Sequence, residues 1–177
     1  METKTHVLTN AEVKKTETII KNHVLIAMGF GAVPVPLVDM AGITATQISM
    51  ISKLAAEYQV QFSHELGRSV LVSLLGGVGA QTLATGTLGS FVKAIPVVGS
   101  IVGAVTYSAI GGSTTYAVGK VFSRHFEMGG NLLNFKASDA KSYFKEELDK
   151  GKDVVKNVKE TVKKPFTKKA ESVTAEG

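Results

Sequence analysis

The feature that most constrains the fold of this chain is a run of residues, 69–119, that carries one charged side chain, Lys93. Lys93 divides this run into two uncharged stretches, 69–92 and 94–119. A helix of about 20 apolar residues can cross the roughly 30 Å hydrocarbon core of a bilayer, and both stretches are long enough. We therefore expect a helical hairpin from which water is excluded, either by lipid or by the rest of a helical bundle.

Two breaks that contain prolines are predicted to bound the hairpins. Lys93 and Pro96 mark the tip of the central hairpin, and a helix is expected to begin near Pro96. Pro34 and Pro36 mark an earlier turn, because the residue before a proline is pushed toward extended geometry. The uncharged run 24–38 contains both of these prolines and is too short to span. It predicts either a re-entrant loop or a buried helix–turn–helix.

Helical signals cover most of the remaining chain. Thr9 and Glu12 have the spacing of a capping box, so a first helix is expected to start at residue 10 or 11. Apolar residues spaced by threes and fours predict a second helix over 37–58. After residue 129, apolar residues again recur every three or four positions, and lysines and acids occupy the positions between them. This pattern predicts an amphipathic helix, which is expected to end at Pro165.

These signals predict an all-α fold of helical hairpins, a membrane-associated bundle with a C-terminal amphipathic helix. The first 18 residues are polar and lack the apolar core of a secretory signal, so an internal segment is expected to mediate membrane contact. The expected parts are a disordered N-terminus (1–10), a helical membrane-associated domain (11–128), a linker with the amphipathic helix (129–164) and a disordered tail (165–177).

Composition narrows the classes of partner. Cysteine is absent, which excludes disulfides and thiolate metal ligands. The formal net charge is +5, and most of the basic surplus follows residue 120. Because these lysines alternate with acids and few aromatics lie among them, they favour a solvated helix face or an anionic lipid surface over nucleic acid.

The glycines predict close helix packing. Glycine costs about 1 kcal/mol relative to alanine in a solvated helix, so glycine-rich helices need tight packing or lipid around them. Such small residues let helix backbones approach each other, here within one chain or between subunits. The glycines assigned to helix packing are Gly76, Gly77, Gly79, Gly99, Gly103, Gly111 and Gly112.

No catalytic, cofactor or metal motif is found in the sequence. Thr114 occupies the position where a Walker A loop ending at Gly119-Lys120 needs a glycine. No two of the four histidines are three or four residues apart, so no local metal pair is predicted. We therefore expect no enzyme activity, no cofactor and no metal.

Two ionisable residues, Asp39 and His23, are the candidates for a functional polar site. Asp39 follows the Pro-Val-Pro turn, and His23 lies on the apolar face of the first helix. One interpretation is structural: an acid favoured by the helix dipole, and a core histidine with its hydrogen bond satisfied. The other is a buried polar or pore-lining group inside a membrane-embedded loop.

An ordered set of short sequences, spread over residues 12–127, resembles a known bacterial family. The set comprises Glu17-Thr-Ile-Ile-Lys-Asn-His-Val-Leu, Val33-Pro-Val-Pro-Leu-Val-Asp39, Thr46-Gln-Ile-Ser-Met-Ile-Ser-Lys-Leu-Ala, Leu74-Leu-Gly-Gly, Ile95-Pro-Val-Val-Gly99 and Thr115-Tyr-Ala-Val-Gly-Lys120. It resembles the YcjF-like domain of unknown function. The resemblance implies a helical, membrane-associated module that works with an Era-like or dynamin-like GTPase, and it supplies no catalytic residues. No GTPase domain adjoins it within these residues, so a GTPase is expected to be a separate partner.

The leading expectation is a non-enzymatic protein whose hairpin 69–119 inserts into the bacterial inner membrane, with both termini cytoplasmic. Its partners are expected to be the lipid bilayer, further copies of the chain and a GTPase, and its role a scaffold, a membrane-remodelling element or a multi-subunit passage. One alternative is a soluble helical module, peripheral or cytoplasmic, that docks on a separate GTPase. Another is a pore former with soluble and inserted states.

Overall fold

The computed structural model describes the backbone of residues 9–31, 36–84 and 101–174, and the side chains within 9–31, 41–77 and 108–158. These ranges form five helices: α1 (Asn10–Phe30), α2 (Pro36–Glu57), α3 (His64–Ala84), α4 (Ile101–Glu127) and α5 (Ala137–Thr174). No strand occurs in these ranges, so the predicted all-α fold is confirmed for the described part of the chain.

The start of α1 follows from its local sequence. The backbone N–H of Glu12 donates to Thr9 Oγ1 at 3.4 Å, and the N–H of Thr9 donates back to Glu12 Oε2 at 2.8 Å. This is the predicted capping box, which satisfies two backbone donors that have no partner inside the helix. The helix ends at Phe30, between two glycines that are poor helix formers.

α4 is the central helix of the bundle and contacts α1, α2 and α5. It runs antiparallel to α1, because Ile20 lies against Gly119 near one end and Met28 lies against Gly112 near the other. The glycines allow this approach: a Cβ added at residue 112 would come within 2.6 Å of Met28 Cγ. The tight spacing between these two helices therefore depends on residues without side chains.

α2 lies parallel to α4 and is tied to it by polar contacts inside the core. Gln47 Nε2 donates to Thr115 Oγ1 at 3.2 Å, with both side chains buried. Tyr58 Oη and Ser123 Oγ share a second hydrogen bond of 2.7 Å. Buried polar groups that are satisfied in this way fix the register of two helices, because a slip would leave them without partners.

The core lies along α4, and protein surrounds the uncharged stretch of this helix within the described residues. The largest fully buried side chains are Phe122, Phe126, Ile20, Met50, Ile51, Leu54, Leu71, Leu74, Gln47, Val24, Val118 and Val155. The lack of charge over 108–119 is therefore explained by packing against α1, α2 and α5. The expectation that this part of the hairpin 69–119 faces lipid is corrected: the other helices exclude the water.

Among the residues that the structure describes, no helix combines the length and the apolarity needed to cross a bilayer.

α5 differs from its predicted extent. It begins at Ala137 and continues past Pro165 to Thr174, into the segment 165–177. A proline inside a helix removes one hydrogen bond and crowds the preceding turn, at a cost of about 3 kcal/mol, but it does not bar the residues after it from helical geometry. The helix formers Lys, Ala and Glu on both sides of Pro165 favour continuation over a stop.

Candidate functional site

Three helices bring uncharged segments together at one end of the bundle. These are residues 22–31 of α1, 41–43 of α2 and 108–112 of α4, which contain no Asp, Glu, Lys or Arg; we call them the apolar end. Ser108 Oγ donates to the carbonyl oxygen of Met28 at 2.8 Å, and a Cβ on Gly111 would lie 2.9 Å from Ile43 Cδ1. The tertiary structure thus gathers three stretches that are far apart in sequence.

The apolar end is not fully covered by protein. Leu25 and Ile26 are 49% and 48% exposed. The exposed residues about one turn away from them on α1 are Lys21, Asn22 and Gly29, of which Lys21 carries a charge. Two large aliphatic side chains therefore lie in solvent next to one lysine of the same helix. The sequence analysis did not single them out, because they lie one position off the buried row of α1 and look like part of a wide apolar face.

The opposite end of the bundle carries the ion pairs between helices. Lys15 Nζ lies 2.7 Å from Glu57 Oε1, and Lys120 Nζ lies 2.7 Å from Glu17 Oε1. Burial opposes the charge on Lys120, but the hydrogen bond and the negative charge of Glu17 outweigh it, so the pKa of Lys120 is raised. Charge is thus segregated along the axis of α1 and α4.

The fourth helix at the apolar end, α5, brings positive charge to it. Val155 is buried, and its Cγ2 would lie 2.8 Å from a Cβ on Gly112. The neighbouring Lys152 and Lys156 are exposed, and α5 then continues to Thr174. Residues 152–174 contain seven lysines and three acids. The lysine-rich part of α5 therefore begins beside the apolar end.

A groove between α1 and α2 opens next to Leu25 and Ile26. Its volume is about 460 Å³, and its lining residues are Ile19, Asn22, His23, Leu25, Ile26 and Lys53. The predicted candidate His23 is buried, and its Nδ1 lies 2.7 Å from the carbonyl oxygen of Ile19. Because a carbonyl can only accept, Nδ1 carries the proton.

The protonation state of His23 follows from its surroundings. Burial lowers its pKa and the nearby positive charge of Lys53 lowers it further, whereas the hydrogen bond to Ile19 opposes them. The imidazole is therefore neutral at pH 7. His23 has the bonding expected of a structural histidine, and it also forms part of an open groove.

The glycines assigned to helix packing fall into two environments. Gly111 and Gly112 lie against α1, α2 and α5, while Gly77 lies against Lys141. Gly76 is exposed, and a Cβ there would meet nothing within 4 Å. Gly119, which does not fit a Walker A loop and was interpreted as a packing residue, also lies against α1: a Cβ there would lie 2.8 Å from Ile20 Cγ1.

Several predicted residues lie outside the described part of the structure. Pro34, Lys93, Pro96 and Gly99 lie outside the described backbone. Pro36 is the first residue of α2, and Asp39, Gly79 and Gly103 lie within helices, but their side-chain surroundings are outside the described ranges.

A polar cluster between α4 and α5 is the other concentration of titratable groups. Glu147 is 2% exposed; its Oε1 accepts from Lys150 at 2.7 Å, and its Oε2 has no hydrogen-bond partner within the described residues. The guanidinium of Arg124 lies 4.3 Å from the ring centre of Tyr143. Burial raises the pKa of Tyr143 and of Tyr116, so both phenols stay protonated. The contact of Arg124 with Tyr143 joins α4 to α5, whereas the pair of Glu147 and Lys150 lies within α5.

Metal chemistry has little support in the described ranges. Within them, no group of three or more His, Cys, Asp or Glu side chains has the arrangement needed to hold a metal ion.

Fold and site together define a helical bundle with an uncharged, partly exposed end beside a lysine-rich helix. The chain belongs to the family described as a domain of unknown function (DUF697), whose family model matches residues 1–170. This match confirms the resemblance to the YcjF-like domain of unknown function.

The chain is also similar to Magnetosome membrane protein 22 of Magnetospirillum gryphiswaldense. The two are 43% identical over 143 residues, which cover 81% of this chain and 73% of the relative. No solved structure matches the chain.

Proposed function

We propose that this protein is a non-enzymatic, membrane-associated helical protein that docks its apolar end on the surface of an anionic bilayer. The observation that carries the proposal is the exposure of Leu25 and Ile26 at the apolar end, where Val155 of α5 also packs, near Gly112. In this arrangement the bundle stays folded, and it acts as a scaffold held on the membrane.

The estimated free energies indicate that apolar contact and lysine attraction must act together for the protein to dock on a bilayer. Full burial of one leucine or isoleucine side chain contributes about 1.5–3 kcal/mol, so two half-exposed ones contribute about 2 kcal/mol together. This alone gives weak, reversible binding. Each lysine near an anionic surface adds about 1 kcal/mol. Apolar contact and lysine attraction together therefore support docking where neither would suffice.

The relative lends independent support. Magnetosome membrane protein 22 carries a membrane location in its name, and its similarity covers most of both chains. Membrane association is therefore the functional statement about this chain that its relatives favour, and it agrees with the separation of charge along the bundle.

We further propose two kinds of protein contact for the docked bundle. The first step is self-association, and the second is contact with a GTPase partner. The exposed side of α3 is uncharged after Arg68 and carries Val72, Ser73 and Gly76. An uncharged helix face with an exposed glycine suits close contact with another helix. Analytical ultracentrifugation of membrane-free protein tests the first step, and a monomer at all concentrations would remove it.

The docking proposal is tested by vesicle flotation with the full-length chain. We expect Ile26→Glu to weaken binding to phosphatidylglycerol vesicles by about tenfold or more, because it removes apolar contact and adds a charge that anionic lipid repels. Val13→Glu is the matched control, since Val13 lies on the same helix and is 44% exposed, at the opposite end. It should bind like wild type.

Two outcomes would contradict the proposal. Wild-type protein that stays at the bottom of the gradient with anionic vesicles does not dock on membranes. Equal losses from Ile26→Glu and Val13→Glu place the contact elsewhere. A high-salt wash completes the experiment: it should release docked protein, because the lysine attraction is screened by salt.

A further inference from the structure

The groove between α1 and α2 combines apolar walls with side chains that can donate hydrogen bonds. Ile19, Leu25 and Ile26 supply the apolar surface, and Asn22 and Lys53 stand at the edge as exposed side chains. A pocket of this kind suits a ligand that has both an apolar and a polar part. Its position beside the exposed pair Leu25 and Ile26 places it at the surface that we assign to the bilayer.

Lys53 is the cation that lines this groove. Two other lysines of the bundle form ion pairs between helices, Lys15 with Glu57 and Lys120 with Glu17. No carboxylate among the described residues lies within ion-pairing distance of Lys53. An exposed ammonium beside an apolar groove favours an anionic ligand, because charge complementarity adds to the burial of apolar surface.

The imidazole of His23 is expected to change its protonation when an anionic ligand binds in the groove. Its Nδ1 donates to the carbonyl oxygen of Ile19, and His23 lines the groove, so we assign Nε2 the role of the acceptor toward a ligand. A negative charge held by Lys53 offsets the effect of that lysine on the imidazole and favours its protonation. Protonated Nε2 would then become a donor to the same anion.

We propose that this groove is a subsite for the phosphate headgroup of an anionic phospholipid. Lys53 and Asn22 contact the phosphate, and Leu25 and Ile26 contact the upper part of the acyl chains. The inference rests on the proposed docking of the apolar end and names the lipid chemistry that it recognises. One exposed lysine binds free phosphate weakly in water, so the apolar walls make the lipid the better ligand.

The test uses the full-length protein, with NMR of the His23 imidazole as the readout. We add dihexanoyl-phosphatidylglycerol below its micelle concentration and, in a parallel sample, inorganic phosphate. The short-chain lipid is expected to raise the pKa of His23, and inorganic phosphate at the same concentration is expected to leave it unchanged. Lys53→Gln should weaken lipid binding by about tenfold, the size of one charge-assisted hydrogen bond.

The control variant is Lys21→Gln, which removes an exposed lysine of α1 that does not line the groove. It should bind the short-chain lipid like wild type. Equal binding by Lys53→Gln and wild type would overturn the inference. An equal response to inorganic phosphate would also overturn it, because the site would then be a phosphate site without lipid preference.

The two proposals fail in distinguishable ways. If wild type and Lys53→Gln float equally well with anionic vesicles and the short-chain lipid leaves His23 unchanged, docking stands and the subsite is refuted. If the short-chain lipid binds through Lys53 but wild-type protein does not float with vesicles, the subsite stands and bilayer docking is refuted.

Discussion

At the scale of single residues, His23 both lines the groove and belongs to the buried core of the bundle. It is 3% exposed, and its imidazole donates to the backbone of its own helix one turn earlier. A buried neutral imidazole is stabilising only while it stays neutral, because its charged form has lost the solvation it has in the unfolded chain. The same residue therefore makes the stability of the bundle depend on pH.

The sign of this dependence follows from the lowered pKa. In the folded chain the pKa of His23 lies below 6.5, so the unfolded chain binds more protons in that range. The contribution of His23 is complete above pH 6.5 and is lost as the pH falls through the folded value. We expect the free energy of unfolding, measured by urea denaturation, to decline between about pH 7 and 5.

His23→Gln should flatten that decline, because glutamine does not titrate. His64→Gln serves as the control, since His64 is exposed at the start of α3 and should leave the slope unchanged. A slope that persists in His23→Gln would show that another group titrates in its place.

At the scale of helices, the glycines differ in whether they lie against a neighbouring helix. A Cβ on Gly151 would lie 2.8 Å from the carbonyl oxygen of Ser113, which belongs to the backbone of α4. Backbone cannot rotate away as a side chain does, so α5 would have to move. Gly76 on α3 has no such neighbour.

Alanine at these two positions should therefore shift stability in opposite directions. We expect Gly151→Ala to lower the free energy of unfolding by about 1–3 kcal/mol through overpacking. Gly76→Ala should raise it by about 0.5–1 kcal/mol, because alanine is the better helix former. Urea denaturation of dilute protein measures both. A Gly151→Ala variant that is more stable than wild type would mean that helix propensity, and not the contact with α4, decides the effect at Gly151.

At the scale of the whole molecule, charge separation sets the orientation on a membrane. The ion pairs of α1 with α2 and α4 lie at one end, and the apolar end lies at the other. The lysines of α5 extend across this division. A bundle of this kind has one face that an anionic bilayer attracts and one that stays in water.

Removing lysines from the two parts of α5 tests this orientation. We expect the triple variant Lys163→Gln, Lys164→Gln, Lys168→Gln to bind phosphatidylglycerol vesicles at least about tenfold more weakly, since each lysine contributes about 1 kcal/mol. The matched variant Lys136→Gln, Lys141→Gln, Lys145→Gln removes the same charge near the start of α5. If it weakens binding equally in a vesicle sedimentation assay, net charge rather than orientation governs docking.

Local patterns determined much of the architecture. The capping box at Thr9 and Glu12, the proline at the start of α2 and the glycines on either side of Phe30 act within a few residues, so the helix ends they specify could be inferred directly. The end of α5 could not, because Pro165 weakens a helix without forbidding it. The family could also be inferred, since its motifs are short and ordered along the chain.

The sequence by itself determined that residues 69–119 carry one charge, Lys93, because charge is a property of composition. It did not determine that water is excluded from the whole run, since Val72, Ser73 and Gly76 are exposed on α3. Only the tertiary structure decided that protein, and not lipid, surrounds residues 108–119, because packing partners come from helices distant in sequence. The candidate site, too, depends on the packing of helices that are distant in sequence. Leu25 and Lys53 lie on different helices, and the groove they share exists only once α1 and α2 are packed together.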